Sequence, residues 1–397
     1  QIKLALAKLY GKLNNMPVAG DLPAGTDEVL DSVANQIRKT GNRAVVVTGL
    51  QDENAQTLVL ALNEMLGSKA FDPQAPKYIR KGNAKGVTQL VADMKSGNVG
   101  ALLMDGVNPM YTLPDPTDFA EGIKNVGLSL IFALNYNETV AVSQYVASSS
   151  HFLESWGDAQ FKKGHYSLMQ PAIKELFDTR QFQTSLLRWA GIDKTYYEYV
   201  KETWNASILG GSDWEKALQA GFFVPAELPV VEDVTPKEKL KSTTPEKIEV
   251  EIVSTAIPIA TAVKGLAGAT SEGMELTLYT KPGLGDGQQA SNPWLQEFPD
   301  PITRVSWGNY VTVSKADADR LGLKNEHVSN GALDGSYVKL TVNGTTLPGV
   351  PVIIQPGQAK GSVGMALGYG RTEGMKSEMR TGVNAYPLFQ DFSNIQS

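Results

Sequence analysis

The sequence predicts an α/β fold: a doubly wound, mainly parallel sheet followed by a small β-barrel. Three observations predict it. A short apolar run, a tight turn and an amphipathic stretch recur in "GNRAVVVTGLQDENAQTLVLALNEMLG" (41–67) and "GNVGALLMDGVNPMYTLPDPTDFAEGIKN" (97–125), with a further run in "VGLSLIFALNYNETVAVSQYV" (126–146). Continuous apolar runs suit parallel strands covered on both faces, and their alternation with helices suits a doubly wound sheet. Pro, Lys and Glu then dominate residues 227–251, and beyond them short β-branched segments are separated by Gly, Pro, Asn and Asp, the texture of a small barrel.

Taken in order, "QIKLALAKLYGKL" places Ile2, Leu4, Leu6, Leu9 and Leu13 at partly helical spacing. No initiator Met, signal peptide or N-cap precedes it, so it reads as a helix in a chain cut inside a larger protein. Ala44 to Val47 form the first expected strand, Thr48-Gly49 its turn, and the following stretch its helix. Ala101 to Met104 and "LSLIFAL" (128–134) are the next strands, giving an α/β domain over 1–225. A linker spans 226–270. Within it Thr243 to Glu246 form a capping box or "KIEVEIV" pairs as a strand, and "IVSTAIPIATAVKGLAG", broken by Pro258 and Lys264, reads as a linker helix or core segment. The barrel domain occupies 271–397, from "MELTLYT", "NYVTVS", "SYVKLTV" and "PVIIQPG", with one helix at "SKADADRLGL" capped by Ser314 and closed by Gly322.

Composition bounds the chemistry. The 397 residues exceed one ordinary core. Hydrophobic residues make up 42% and charged residues 20%, as in folded soluble proteins. The net charge of -6 comes without a basic stripe, which excludes a nucleic-acid binder relying on phosphate contacts. No apolar run approaches the roughly 20 residues of a membrane span. With no Cys, these residues supply no disulfide, thiolate zinc site, iron-sulfur ligand or thiol nucleophile.

The densest collection of chemical groups is "HFLESWGDAQFKKGHYSLMQP" (151–171). His151, His165, Glu154 and Asp158 are its candidates for acid–base chemistry or a His/carboxylate metal site. They lack the i, i+4 His pair or HExxH helix that would fix ligand geometry. The structural reading therefore stands ahead: His151-Phe152-Leu153 end a strand, Trp156-Gly157-Asp158 turn the chain, and Asp158 accepts backbone N–H bonds. No catalytic residue and no metal is assigned. Lys162-Lys163 mark a solvated loop face. Arg180, Arg188 and Trp189 lie on "FDTRQFQTSLLRWAG", whose Leu186, Leu187 and Trp189 are read as core and packing residues, as are Trp204 and Trp214. The Asn-x-Ser/Thr triplets at Asn137, Asn205 and Asn343 are read as chance.

In doubly wound sheets ligands sit beyond the carboxyl ends of the strands. Gly49, Asp105-Gly106-Val107-Asn108 and Asn135-Tyr136-Asn137 fall there. These loops line a nucleotide-like pocket, or they carry Gly and Asn because strand-to-helix turns need φ > 0 and side-chain caps. Neither a GxGxxG fingerprint nor a P-loop decides between the two.

"NPWLQEFPDPITRVSWGNYVTVSKADADRLGL" and "YVKLTVNGTTLPGVPVIIQPGQAKGSVGMALGYGR" resemble the C-terminal double-psi barrel of the molybdopterin oxidoreductase superfamily. The matching residues are Asp317-Ala318, Leu321-Gly322 and Pro356-Gly357. "ALLMDGVNPMYTLPD" resembles the Asn-Pro element of its dinucleotide-fold domain at Asn108-Pro109. "LESWGDAQFKKGHYSLMQPAIKELFDTRQ" resembles most closely the large iron-sulfur subunit of alternative complex III, the bacterial quinol:cytochrome c oxidoreductase, in its molybdopterin-enzyme-like region. The resemblance covers roughly 40–225 and 270–385.

The resemblance implies a pterin-free scaffold region of an iron-sulfur electron-transfer subunit in a membrane-bound respiratory complex. It implies iron-sulfur clusters in a ferredoxin-like region following Ser397 and no cofactor in this one. The implied partners are multihaem cytochrome and quinol-binding membrane subunits, at the periplasmic face of the bacterial cytoplasmic membrane. The other reading is a fragment of a genuine molybdopterin-dinucleotide oxidoreductase, with Gly49, Asn108, Asn135, Asn292, Trp294 and Gly368 to Arg371 closing over the dinucleotide. On the first reading Gly49, Asn108, Asn135, Asn292 and Arg371 line a vestigial pocket.

Overall fold

The computed structural model describes residues 1–79, 82–225, 257–269, 273–329 and 333–396. Two compact units interleave along the chain. One takes 1–81, 156–170 and 194–270, the other 82–155, 171–193 and 271–397. The expected capping box at Thr243 to Glu246 and the alternative strand "KIEVEIV" lie outside the described residues. Among the described residues no helix is long and apolar enough to cross a membrane.

In the first unit the helices Ile2–Leu13, Thr26–Thr40, Glu53–Leu66 and Ile259–Ala267 pack together. The segment broken by Pro258 is thus a core helix that begins just after the proline, and it rests on Glu53–Leu66 and Ile2–Leu13. Small residues carry these contacts: Ala7, Ala55 and Ala262 have no exposed surface, beside the equally buried Leu58, Leu62 and Leu266. Asp52 caps Glu53–Leu66 by accepting the N–H groups of Asn54 and Ala55.

The expected strand at Ala44 to Val47 is corrected. Exposure alternates along 44–49 as in a strand, yet among the described residues no strand pairs with it. The Val46 N–H donates to Asn63 Oδ1 and the Asn63 Nδ2 donates to the Val46 carbonyl, both at 2.8 Å. A side-chain amide from the adjacent helix thus takes the place of a neighbouring strand, and Val47 is left 82% exposed.

The same unit holds a hairpin of Gly157–Lys162 and His165–Met169, extended antiparallel by Phe222–Phe223. Trp156-Gly157-Asp158 therefore opens a strand, and the turn lies at Lys163-Gly164, where Gly164 has φ 77°. The period-two run "GDAQFK" outweighs the single glycine as a turn signal. Beside it, Tyr196–Ser207 and Trp214–Ala220 bury Val200, Trp204, Leu209, Trp214 and Ala217 in one cluster. The Trp204 and Trp214 rings meet edge to face at 5.8 Å. Asp158 accepts the Trp204 indole N–H at 2.8 Å, where backbone donors were expected.

In the second unit Ala101–Asp105, Leu128–Ala133 and Tyr145–Ser148 form a parallel sheet in sequential order. The helices Ala84–Lys95 and Pro116–Ile123 pack with it around Met94, Met104, Phe119, Ile123 and Ile131. The expected parallel α/β pattern is present here. His151-Phe152-Leu153, however, does not end a strand. The strand stops at Ser148, and His151 caps a single helical turn, Phe152–Glu154. On the helix Phe182–Trp189, Leu187 is buried but Leu186 and Trp189 are 38% and 52% exposed, because eight residues present only one narrow stripe inward.

The last part of this unit is a six-stranded mixed sheet in the order Tyr337–Val342, Thr345–Ile354, Val311–Val313, Ser362–Leu367, Glu275–Thr280, Ile395–Gln396. Two of its pairings are parallel, Thr345–Ile354 with Val311–Val313 and Ser362–Leu367 with Glu275–Thr280. Leu278, Val350, Val352 and Met365 are among its core side chains. The helix Lys315–Leu321 carries the expected ends: Ser314 Oγ accepts the Asp317 N–H, and Gly322 closes it at φ 68°.

Candidate functional site

The parallel register opposes Asp105 to Phe132, so the loops after Ala101–Asp105 and Leu128–Ala133 leave the sheet side by side. Asn108 ties them together. Its Oδ1 accepts the Thr139 N–H at 3.1 Å and the Thr139 hydroxyl at 2.8 Å, and its Nδ2 donates to Glu138 Oε2 at 2.7 Å.

Glu138 is the centre of the site. Arg371, from the loop after Ser362–Leu367, places Nε 3.1 Å and Nη2 3.0 Å from Glu138 Oε2. The backbone N–H groups of Thr372 and Glu373 donate to Oε1 at 2.9 and 3.2 Å. Burial works against the carboxylate, but the Asn108 amide, these backbone donors and the Arg371 charge outweigh it and hold the Glu138 carboxyl below its ordinary value. Arg371 is itself only 7% exposed. Its Nη1 donates to the Gly287 carbonyl at 3.0 Å, and its guanidinium lies over the Tyr111 ring, 5.6 Å from the centroid. The buried Tyr111 hydroxyl donates to the Tyr369 carbonyl at 2.7 Å, and burial pushes its acidity well out of the physiological range.

The glycines of "GYGRTEG" permit this closeness. A Cβ on Gly374 would stand 2.0 Å from the Tyr136 carbonyl oxygen, and one on Gly370 2.2 Å from the Asn384 nitrogen; both have φ near 70°.

A second buried pair lies in the same unit. Lys281 Nζ sits 3.4 Å from Asp300 Oδ2 and donates to the Tyr310 hydroxyl at 3.1 Å, over the rings of Tyr310 and Tyr369. Asp300 also accepts the N–H groups of Ile302 and Thr303, so it pins that loop to the strand end bearing Lys281.

Of the residues singled out in the sequence, Asn108 and Arg371 converge here. Asn135 is exposed on the Glu138 loop. Asn292 caps the short helix Pro293–Glu297 through the Trp294 N–H. Gly49 belongs to the other unit. His151 and Glu154 form a capping box: Glu154 accepts the N–H of His151 at 2.9 Å and of Leu176 at 3.0 Å, and those donors hold its carboxyl below the usual value. Asp158 and His165 lie on the hairpin, opposite Leu168 and Lys162 respectively. Among the described residues no group of three or more His, Asp or Glu side chains is placed to hold a metal ion.

Sequence reasoning missed Glu138, Tyr111, Lys281 and Asp300. The available signal for Glu138 was an acidic side chain between two capping residues, Asn137 and Thr139, at the mouth of a buried strand. In the loops it could reach, Arg371 is the cation beside glycines.

A dinucleotide lying across these loops would need Asn108 and Arg371 to present donors to its phosphates. All three Arg371 nitrogens and the Asn108 amide have acceptors within the chain, so these donors are turned to the chain's own oxygens.

Fold and site define a mixed α/β chain whose parallel-strand loops are clasped to a mixed sheet by a buried ion pair. No family model and no curated protein matches the chain. Among solved structures it is similar to acetylene hydratase from Pelobacter acetylenicus, with a TM-score of 0.49 and 13% identity over 76% of this chain. The chain spans 42% of the length of that structure.

Proposed function

We propose that this chain is a scaffold region of an oxidoreductase assembly, built on the molybdopterin-enzyme fold with a double-psi barrel and holding no pterin. In the finer form of this reading it belongs to the iron-sulfur subunit of a quinol-oxidising complex of the alternative complex III type. It stands at the periplasmic face of the membrane, with the clusters borne outside these residues and cytochrome and quinol-binding membrane subunits as partners. Its role is positional, since electron transfer depends on the distances between centres that such a region fixes.

One observation carries the reading: Asn108 and Arg371, from loops where a dinucleotide would lie, are committed to Glu138. A surface suited to partners accompanies it. Leu153 accepts the N–H groups of Ala172 and Ile173, and Glu154 that of Leu176, which gathers Phe152, Ile173, Leu176 and Phe177 at exposures of 43–79%. Large apolar side chains grouped on a surface mark interaction sites.

Metal and pterin analysis of the intact polypeptide tests the reading. Iron and acid-labile sulfide without molybdenum, tungsten or extractable pterin is the expected result. Stoichiometric pterin would establish the other reading, a fragment of a genuine molybdopterin enzyme.

A further inference from the structure

We infer that the Asn108 amide, the Arg371 guanidinium and the Thr372 and Glu373 backbone N–H groups form a binding site for a two-oxygen anion, with Glu138 as its built-in ligand. The inference deepens the proposed function, resting on its reading of these loops as closed to an external cofactor. It names the chemical class the donors take once the Glu138 carboxylate is removed: a carboxylate, or two oxygens of a phosphate.

The geometry is that of an anion receptor. Both oxygens are used, Oε1 by two successive backbone donors and Oε2 by the Asn108 amide and two guanidinium nitrogens. Successive backbone N–H groups beside a cation form a concavity that recruits anions, and a guanidinium adds charge-assisted bonds to it. The donors have holders other than Glu138. Arg371 is also held by the Gly287 carbonyl and Tyr111, Asn108 by Thr139, and the Thr372–Glu373 backbone follows from the close approach of Gly370 to Asn384 and Gly374 to Tyr136. A ligand removed from a preformed site leaves a vacancy of the same specificity.

The test is anion rescue of Glu138→Ala in the full chain. Thermal midpoints are measured in sodium acetate, sodium phosphate and sodium chloride at matched ionic strength. In chloride the variant melts below wild type. Acetate or phosphate then raises its midpoint saturably by several degrees, as a ligand of the folded state does, while wild type moves only with ionic strength. Acetate acting alone identifies a carboxylate site, and phosphate acting as well identifies a general oxyanion site. If the variant does not fold in chloride, refolding in acetate replaces the melt, and recovery there is expected. Glu138→Gln, whose side chain fills the vacancy, shows no rescue.

A Glu138→Ala chain that responds to acetate and phosphate as wild type does, or that refolds in neither, overturns the inference. Pterin in the intact polypeptide would instead overturn the scaffold reading and leave the anion result standing, so the two failures are distinguishable.

Discussion

The side-chain amide of Asn63 holds both backbone groups of Val46, receiving its N–H and donating to its carbonyl at 2.8 Å each. Asn63 is 3% exposed, and the two bonds it makes to the Val46 peptide are partly buried. Asn63→Ala should lower the stability of its unit by about 1–3 kcal/mol, the cost of buried polar groups left unpaired. Denaturant unfolding checks this. An unchanged midpoint would show that the 44–49 segment does not depend on the amide.

Removing one partner of the buried Glu138–Arg371 pair leaves the other charge without its counterion. Arg371→Met should therefore cost about 3–5 kcal/mol, read from the denaturant midpoint at neutral pH. The pair contributes nothing so large to a chain lacking both charges, so Glu138→Gln combined with Arg371→Met should lose less than the sum of the two single changes.

The pH dependence follows from the lowered Glu138 carboxyl. A group whose value falls on folding stabilises the protein above its unfolded value, and that contribution disappears as pH drops through the folded one. Wild type should lose stability more steeply than Glu138→Gln as pH falls from about 5 toward 3. Parallel profiles for the two would remove Glu138 as the source.

Gly374 has φ 70° and no room for a Cβ against the Tyr136 carbonyl. Gly374→Ala should destabilise by about 1–3 kcal/mol through backbone strain and further through the displaced loop. Gly357, with a similar φ of 80° and open space around it, provides the control. Gly357→Ala carries the strain alone and should cost less.

Lys281 and Asp300 are unequal partners. Asp300→Ala strands an ammonium group that is 9% exposed at its side chain and frees the N–H groups of Ile302 and Thr303. Lys281→Met leaves Asp300 those backbone donors. Asp300→Ala should thus be the more damaging by about 1–2 kcal/mol, measured by chemical denaturation of the two variants side by side.

The features legible in the sequence are those fixed within a few residues. Ser314 and Gly322 mark the ends of their helix because a cap and a left-handed closure are local events. The strands at 101–105 and 128–133 are legible from their apolar runs. Ala44 to Val47 has the same composition, but a strand needs a neighbour, and which element supplies it is decided by tertiary packing. Trp156-Gly157-Asp158 opens a strand where its glycine suggests a turn, because a glycine signals a turn only where φ demands one, and here Gly164 meets that demand. Asn108 and Arg371 were reachable as loop residues of the right chemistry. Glu138 was not, because its partner is supplied from a distant part of the chain.

Glu138 and Arg371 are separated by 233 positions. Closing so long a loop costs chain entropy before the contact can offset it, which favours late formation of the pair. A contact made late acts as a latch on the finished fold, bearing on how slowly the native state opens more than on how quickly it is reached.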